Sequence, residues 1–210
     1  GSGYDLSLSG TDAGTRIDLT GSGGDGRITL TGLNADSPFG SLAAPIASLT
    51  GVARFATVNT LNLGDIAAGA RLEGNSLASL NVSRDALGDL RLTGSGVSGF
   101  VLGAAQVGGA IGGLWSITGR ANSISGESTR ADWRANISSP LTQLVIRGDA
   151  SGQFAASALQ LLQVGGSLKA MSVRIGANLG SDAVIGGSGD AADRFGAGTL
   201  ARLRVSGDID

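Results

Sequence analysis

Histidine and cysteine are both absent from this 210-residue chain. Without cysteine there are no disulfides, thiolate metal sites or thiol nucleophiles. Without histidine, the commonest general base and the commonest metal ligand are lost together. Serine, threonine and aspartate are plentiful, yet no hydrolytic triad can be assembled from them alone. Lysine occurs once, the other basic residues are scattered singly, and the formal net charge is −2. Nucleic-acid binding therefore has no electrostatic footprint. Proline is limited to three residues and no Gly-X-Y period runs through the chain, which excludes collagen. No stretch approaches the roughly 18 uninterrupted apolar residues of a membrane-spanning helix. Residues 1–5 lack the basic and apolar regions of a secretory leader, so an export address is expected outside this sequence.

Aromatic residues make up 4% of the chain, whereas apolar residues of all kinds reach 41%. A core built from that mixture is narrow and aliphatic. Glycine is the main excess, with 37 residues, roughly two to three times ordinary usage. The apolar content is too high for a flexible Gly/Ser linker.

Internal repetition decides the fold class. A short phrase recurs in which apolar residues alternate with polar ones and a glycine follows. Leu6-Ser-Leu8-Ser-Gly10, Ile17-Asp-Leu19-Thr-Gly21 and Ile28-Thr-Leu30-Thr-Gly32 stand eleven residues apart. Later copies centre on Leu61/Leu63, Leu80/Val82, Leu90/Leu92, Trp115/Ile117, Leu144/Ile146, Leu162/Val164 and Leu203/Val205, mostly at longer spacings. Alternation with period two is the strand signature. The glycines supply positive φ or close backbone approach where the chain turns. Helical periodicity is almost absent. Even the Ala/Leu-rich stretch from Gln153 to Gln163 ends in a strand phrase and reads as turn plus strand.

These features predict an all-β protein: a parallel β-solenoid, or β-helix, of short strands and Gly-rich turns. The eleven-residue rhythm leaves antiparallel hairpins open as an alternative for the first 40 residues. Residues 1–45 read as short-period β repeats, the start of the solenoid or a β cap, and residues 46–210 as solenoid repeats. Stacked coils place like side chains on one another. The expected core column is Leu63, Val82, Leu92, Ile117, Ile146, Val164 and Val205. No polar or helical cap is visible after Val205. Continuation in a longer polypeptide, or stacking of neighbouring subunits end to end, is the expected consequence.

Leu114-Trp115-Ser116-Ile117-Thr118-Gly119, Ala131-Asp132-Trp133 and Leu144-Val145-Ile146-Arg147-Gly148-Asp149 carry a resemblance. So do the run from Ile175 to Gly180, Gly186-Gly187-Ser188-Gly189, and Phe195 to Leu200. Together they resemble Gly-rich β-solenoid repeats of very large secreted surface proteins of bacteria, such as those of planctomycetes. The same style covers Ile46 to Gly103 more loosely, and the first forty residues match least. The resemblance implies an extracellular or cell-surface location and a structural role. It carries no catalytic residues with it.

Candidate chemistry is sparse. Asp182, Asp190 and Asp193 flank Gly186–Gly189 and look like part of a calcium-binding turn, since Ca²⁺ takes six to eight oxygens. The pattern occurs once, however, and aspartate is also an ordinary turn former. Gly23-Gly24-Asp25-Gly26 is a shorter version. No other cofactor is expected. Trp115 and Trp133 are candidates for an aromatic platform under a sugar ring, against the alternative that Trp115 fills a position held elsewhere by Leu. Asp132, Arg130, Arg134 and Arg147 are the residues a polysaccharide-cleaving β-helix would use. Solubility and cross-coil pairing explain them equally, and Glu73 and Glu127 are the only glutamates. The chain is therefore read as no enzyme. The expectation is a stiff rod or end-to-end filament, with a glycan-binding adhesin module and a polysaccharide-degrading enzyme as alternatives.

Overall fold

Alternating apolar phrases demand a buried face for every second side chain, and the chain supplies it by winding about one axis. The computed structural model describes residues 3–21, 26–94, 99–186, 188–189 and 192–210. It is all-β, with parallel strands stacked into a β-solenoid of about eight turns. Among the described residues there is no α-helix. Each coil has three sides. The first side runs through Arg71–Gly74, Asp89–Leu92, Leu114–Ile117 and Arg134–Ile137, then the second half of Ala150–Ala156. The second side carries Leu102–Val107, Ala121–Gly126, Leu141–Ile146 and Ala158–Val164. The third is narrow, a line of contacts joining Ile66, Ala86, Ile111 and Thr129. Phe39–Ile66 and Arg71–Val82 pass round the corners without a break, which joins first and second sides into one sheet.

Register explains the aliphatic composition. On the second side Leu61, Leu80, Ala105, Ile124, Leu144, Leu162 and Leu203 are successive ladder partners. All but Leu203 are essentially buried. One apolar core runs continuously from Leu30 to Leu168. It crosses the 45/46 position inside the strand Phe39–Ile66. The expected core column is buried, with Val205 packed half-buried on its end. It divides between two sides, however. Leu63, Val82, Ile146, Val164 and Val205 belong to the second, and Leu92 with Ile117 to the first.

The first forty residues contain no hairpin among those described. Tyr4–Leu8 pairs in parallel with Ile28–Ala35, and Arg16–Asp18 in parallel with Ser41–Ala43. The eleven-residue spacing is the distance from one side of a coil to the next. Leu6 lies on the first side, Ile17 on the second and Leu30 on the third, where it pairs with Leu49. A hairpin would have needed the phrases to face each other; here each has its partner one full coil away.

Bulky residues are matched by small ones along the columns. Gly74 is the ladder partner of Phe55, and a Cβ at Gly74 would collide with the Phe55 ring. On the first side Leu90, Trp115, Ala135 and Phe154 follow one another. Trp133 enters from the preceding turn beside the small Ala135. Its ring meets Trp115 edge-on at 6.4 Å and stacks on Phe154 at 6.2 Å. Gly152, at φ +94°, brings its backbone so close to the Trp133 carbonyl that no Cβ would fit.

Candidate functional site

The outward positions of the first side form a column of a different kind. Arg54, Glu73, Arg91, Ser116, Asn136 and Ala155 are ladder partners in that order. From Ser116 to Ala155 the column is small and buried, and its next ladder partner is Arg174. The cause is the coil that follows Phe154. Leu203 stands 41 residues beyond its ladder partner Leu162, against 18 residues from Leu144 to Leu162. The surplus chain leaves the coil at Gly176, whose φ of +87° favours glycine, and folds back over the outside of the sheet.

Asn136 holds this side loop. The Asn136 Nδ2 group donates to Asn178 Oδ1 at 2.8 Å and to the Gly180 carbonyl at 2.6 Å. Its Oδ1 accepts the Leu179 amide at 2.9 Å. Buried polar side chains need such partners, and Asn136 is only 3% exposed. Around it Leu179, Ala177 and Ala155 make a small apolar cluster outside the main core. The loop returns as Arg194–Phe195, which pairs with Ala177–Asn178 in the one antiparallel ladder among the described residues. The Gly196 amide donates to the Gly176 carbonyl at 2.7 Å and closes the base.

Between loop and sheet lies a polar hollow of about 300 Å³. Its floor is Ser116, Thr118, Asn136 and Ser138; Asn178 and Ser181 form the loop side, and the guanidinium groups are those of Arg91 and Arg194. Among the described residues no carboxylate lines it. Two further hollows continue along the same outer face, of about 210 and 460 Å³. Arg91 lines all three. Glu73 Oε2 accepts from Arg54 Nε at 3.1 Å, and Asp89 lies 3.6 Å from Arg71 while also accepting the Leu114 amide, whereas Asp36, which lines the 460 Å³ hollow, is in no ion pair among the described residues. Among the described residues neither Arg91 nor Arg194 has a carboxylate partner.

The aromatic platform is not there. Trp115 is 1% exposed and Trp133 0%, and a stacking surface needs an open ring face. Both indole N–H groups are buried without a hydrogen-bond partner among the described residues. The coil position of Trp115, next to Leu90 in the ladder, is the reason.

Of the calcium candidates, the two described aspartates each hold a backbone amide of the side loop. Asp182 Oδ1 accepts the Val184 amide at 3.2 Å, and Asp193 Oδ2 accepts the Gly186 amide at 2.7 Å. Both thus order turns of the side loop. Asp190, and residues 23–25 of the shorter glycine motif, lie outside the described residues. Among the described residues no three acidic side chains converge as metal ligands. Of the residues weighed for polysaccharide cleavage, Arg130 pairs with Asp132 at 3.2 Å within one turn. Arg147 is drawn to Glu127, 2.9 Å away, at another corner of the coil.

Asn136 and Arg91 were not singled out from the sequence. The available signal was indirect: an asparagine at an outward position of a strand phrase, and the long interval before Leu203. No family model, curated protein or solved structure matches this chain.

Proposed function

We propose that this chain is a structural module of an extracellular bacterial surface protein, serving as a segment of a stiff rod or filament. The observation that supports it best is the unbroken in-register core from Leu30 to Leu168. Each coil contacts only its neighbours along the axis, so the fold grows in length and not in girth. Stiffness then comes from backbone ladders and aliphatic columns, with no disulfide needed. The coil reaching Ile209 leaves Leu200, Leu203 and Ile209 37%, 46% and 67% exposed. Those side chains cap the inward columns of Leu159, Leu162 and Leu168. The surface location follows the resemblance to secreted bacterial repeats.

The test is immunogold electron microscopy on the source cells with an antibody raised against this chain. The expected result is label in rows along extended surface projections. Fibre diffraction from the purified projections should show a strong axial spacing of about 4.7–4.9 Å, the separation of hydrogen-bonded strands. Label confined to the cytoplasm, or to compact particles without an axial repeat, overturns the reading.

A further inference from the structure

We propose that the groove centred on Arg91 binds an acidic oligosaccharide, with Arg91 and Arg194 pairing with carboxylate or sulfate groups on the sugars. The site goes beyond the rod reading and does not depend on it. Four observations converge. First, Arg91 borders all three hollows along one outer face, so they form a single track across several coils. Second, Arg54 and Arg71 on that face are neutralised by Glu73 and Asp89, whereas Arg91 and Arg194 have no acidic partner among the described residues. An anionic group arriving there gains a charge-assisted hydrogen bond without first breaking an ion pair.

Third, the floor is dressed for polyols. Thr118 and Ser138 follow the strands Leu114–Ile117 and Arg134–Ile137, which are adjacent in the ladder. Thr93 takes the same place after Asp89–Leu92. Hydroxyl groups therefore recur at about 4.7–4.9 Å, the spacing between strands, which is close to the length of one pyranose unit. Fourth, the side loop converts an open sheet into a walled hollow. Asn136 fixes the wall with three hydrogen bonds and leaves Asn178 and Ser181 lining it.

A polynucleotide is the other linear anion to weigh. Among the described residues the one aromatic ring lining the track is Phe55, which is only 5% exposed and offers no face for base stacking. The recurring hydroxyls of Thr93, Thr118 and Ser138 favour a hydroxyl-rich sugar chain over a sugar-phosphate backbone.

Isothermal titration of the whole chain tests the assignment, using a galacturonic-acid oligomer, a chondroitin sulfate oligomer, neutral dextran and a single-stranded DNA oligonucleotide. Binding of one or both acidic glycans is expected; binding of chondroitin sulfate alone points to sulfate, and binding of both to the carboxylate that they share. Arg91→Ala should weaken it about tenfold or more, as for loss of one charge-assisted hydrogen bond. Arg91→Lys should recover part of the loss. Arg204→Ala should leave binding unchanged, because Arg204 lies on the second side. Thermal unfolding of Arg91→Ala should match the parent, since Arg91 is exposed. The assignment is overturned if neither acidic glycan binds, or if neutral dextran or the oligonucleotide binds as tightly. A smaller loss with Arg91→Ala, or an equal loss with Arg204→Ala, overturns it too. None of these failures bears on the rod.

Discussion

The coils between Phe39 and Val164 and the side loop after Gly176 are built from the same residues by different means. In the coils each side chain has its counterpart one turn away, and apolar burial is repeated from neighbour to neighbour. In the side loop there is no such repetition. Three hydrogen bonds from one asparagine and a cluster of three apolar residues hold it to the outside of the sheet. Stability is therefore distributed in one region and concentrated in the other. A coil can lose one contact and remain stacked, whereas the loop depends on a single residue beneath it. The distributed region suits load; the concentrated region lets a wall be added to a rod without disturbing its register.

Removing mass from the coils should have the largest effect. Trp133 is fully buried between Trp115 and Phe154. Trp133→Ala should cost about 3–5 kcal/mol in denaturant-induced unfolding, from lost transfer energy and the cavity left behind. Trp133→Phe keeps an aromatic ring in contact with its neighbours and deletes an indole N–H that has no partner. Leaving a buried donor unsatisfied costs about 1–3 kcal/mol, so its removal offsets much of the lost volume. The phenylalanine variant should lie much closer to the parent than to the alanine variant. If both lost the same stability, the Trp115–Trp133–Phe154 stack would not be a packing unit.

The next effect is local and separates the two regions most sharply. Asn136→Ala removes all three bonds to the side loop and leaves the Leu179 amide without its acceptor. About 1–3 kcal/mol should be lost where the loop meets the sheet. Hydrogen exchange is the measurement: the Leu179 amide should exchange much faster, while amides of Leu141–Ile146 keep their protection. Uniform loss of protection would mean that loop and coils unfold together as one unit.

These two sites also show what the amino-acid pattern made legible. The solenoid could be read because period-two alternation followed by glycine leaves few alternatives when aromatics and helical periodicity are scarce. Leu63, Val82, Ile146 and Val164 were recognisable as core from their phrases alone. Their division from Leu92 and Ile117 was not, because a phrase does not state which side of the coil it occupies. The eleven-residue rhythm of Leu6, Ile17 and Ile28 was ambiguous for the same reason, since a corner and a hairpin turn use similar residues. Trp115 and Trp133 illustrate the converse: a large ring is a binding platform or a core block according to the size of its ladder neighbours, here Ala135 and Leu90. The groove was hidden because Arg91 and Arg194 lie more than a hundred residues apart. They are brought together by a loop whose placement is set by Asn136, not by periodicity.

The smallest expected effect lies on the surface of the coils. Asp149 accepts hydrogen bonds from Lys169 Nζ at 2.6 Å and from the Ser167 amide at 2.9 Å. The lysine bond, followed by the backbone amide, holds the Asp149 carboxyl below the ordinary value of 3.8, and Lys169 is raised above 10.5 chiefly by the same hydrogen bond. A depressed carboxylate contributes stability above its unfolded value and loses it as pH falls through the lower, folded value. A raised amine contributes below 10.5 and loses it as pH rises through the higher, folded value. The pair is thus intact throughout the neutral range and weakens at both extremes. Both side chains are about half exposed, so solvent screening keeps the contribution small. Asp149→Asn should leave the thermal midpoint at pH 7 only slightly lower and should make the acid limb of the midpoint-versus-pH curve below pH 3.8 shallower. In 1 M salt, where the Debye length is about 3 Å, the difference from the parent at pH 7 should shrink further. A large drop at neutral pH would mean that stability at this corner of the coil is concentrated, as at Asn136, and not spread along the ladder.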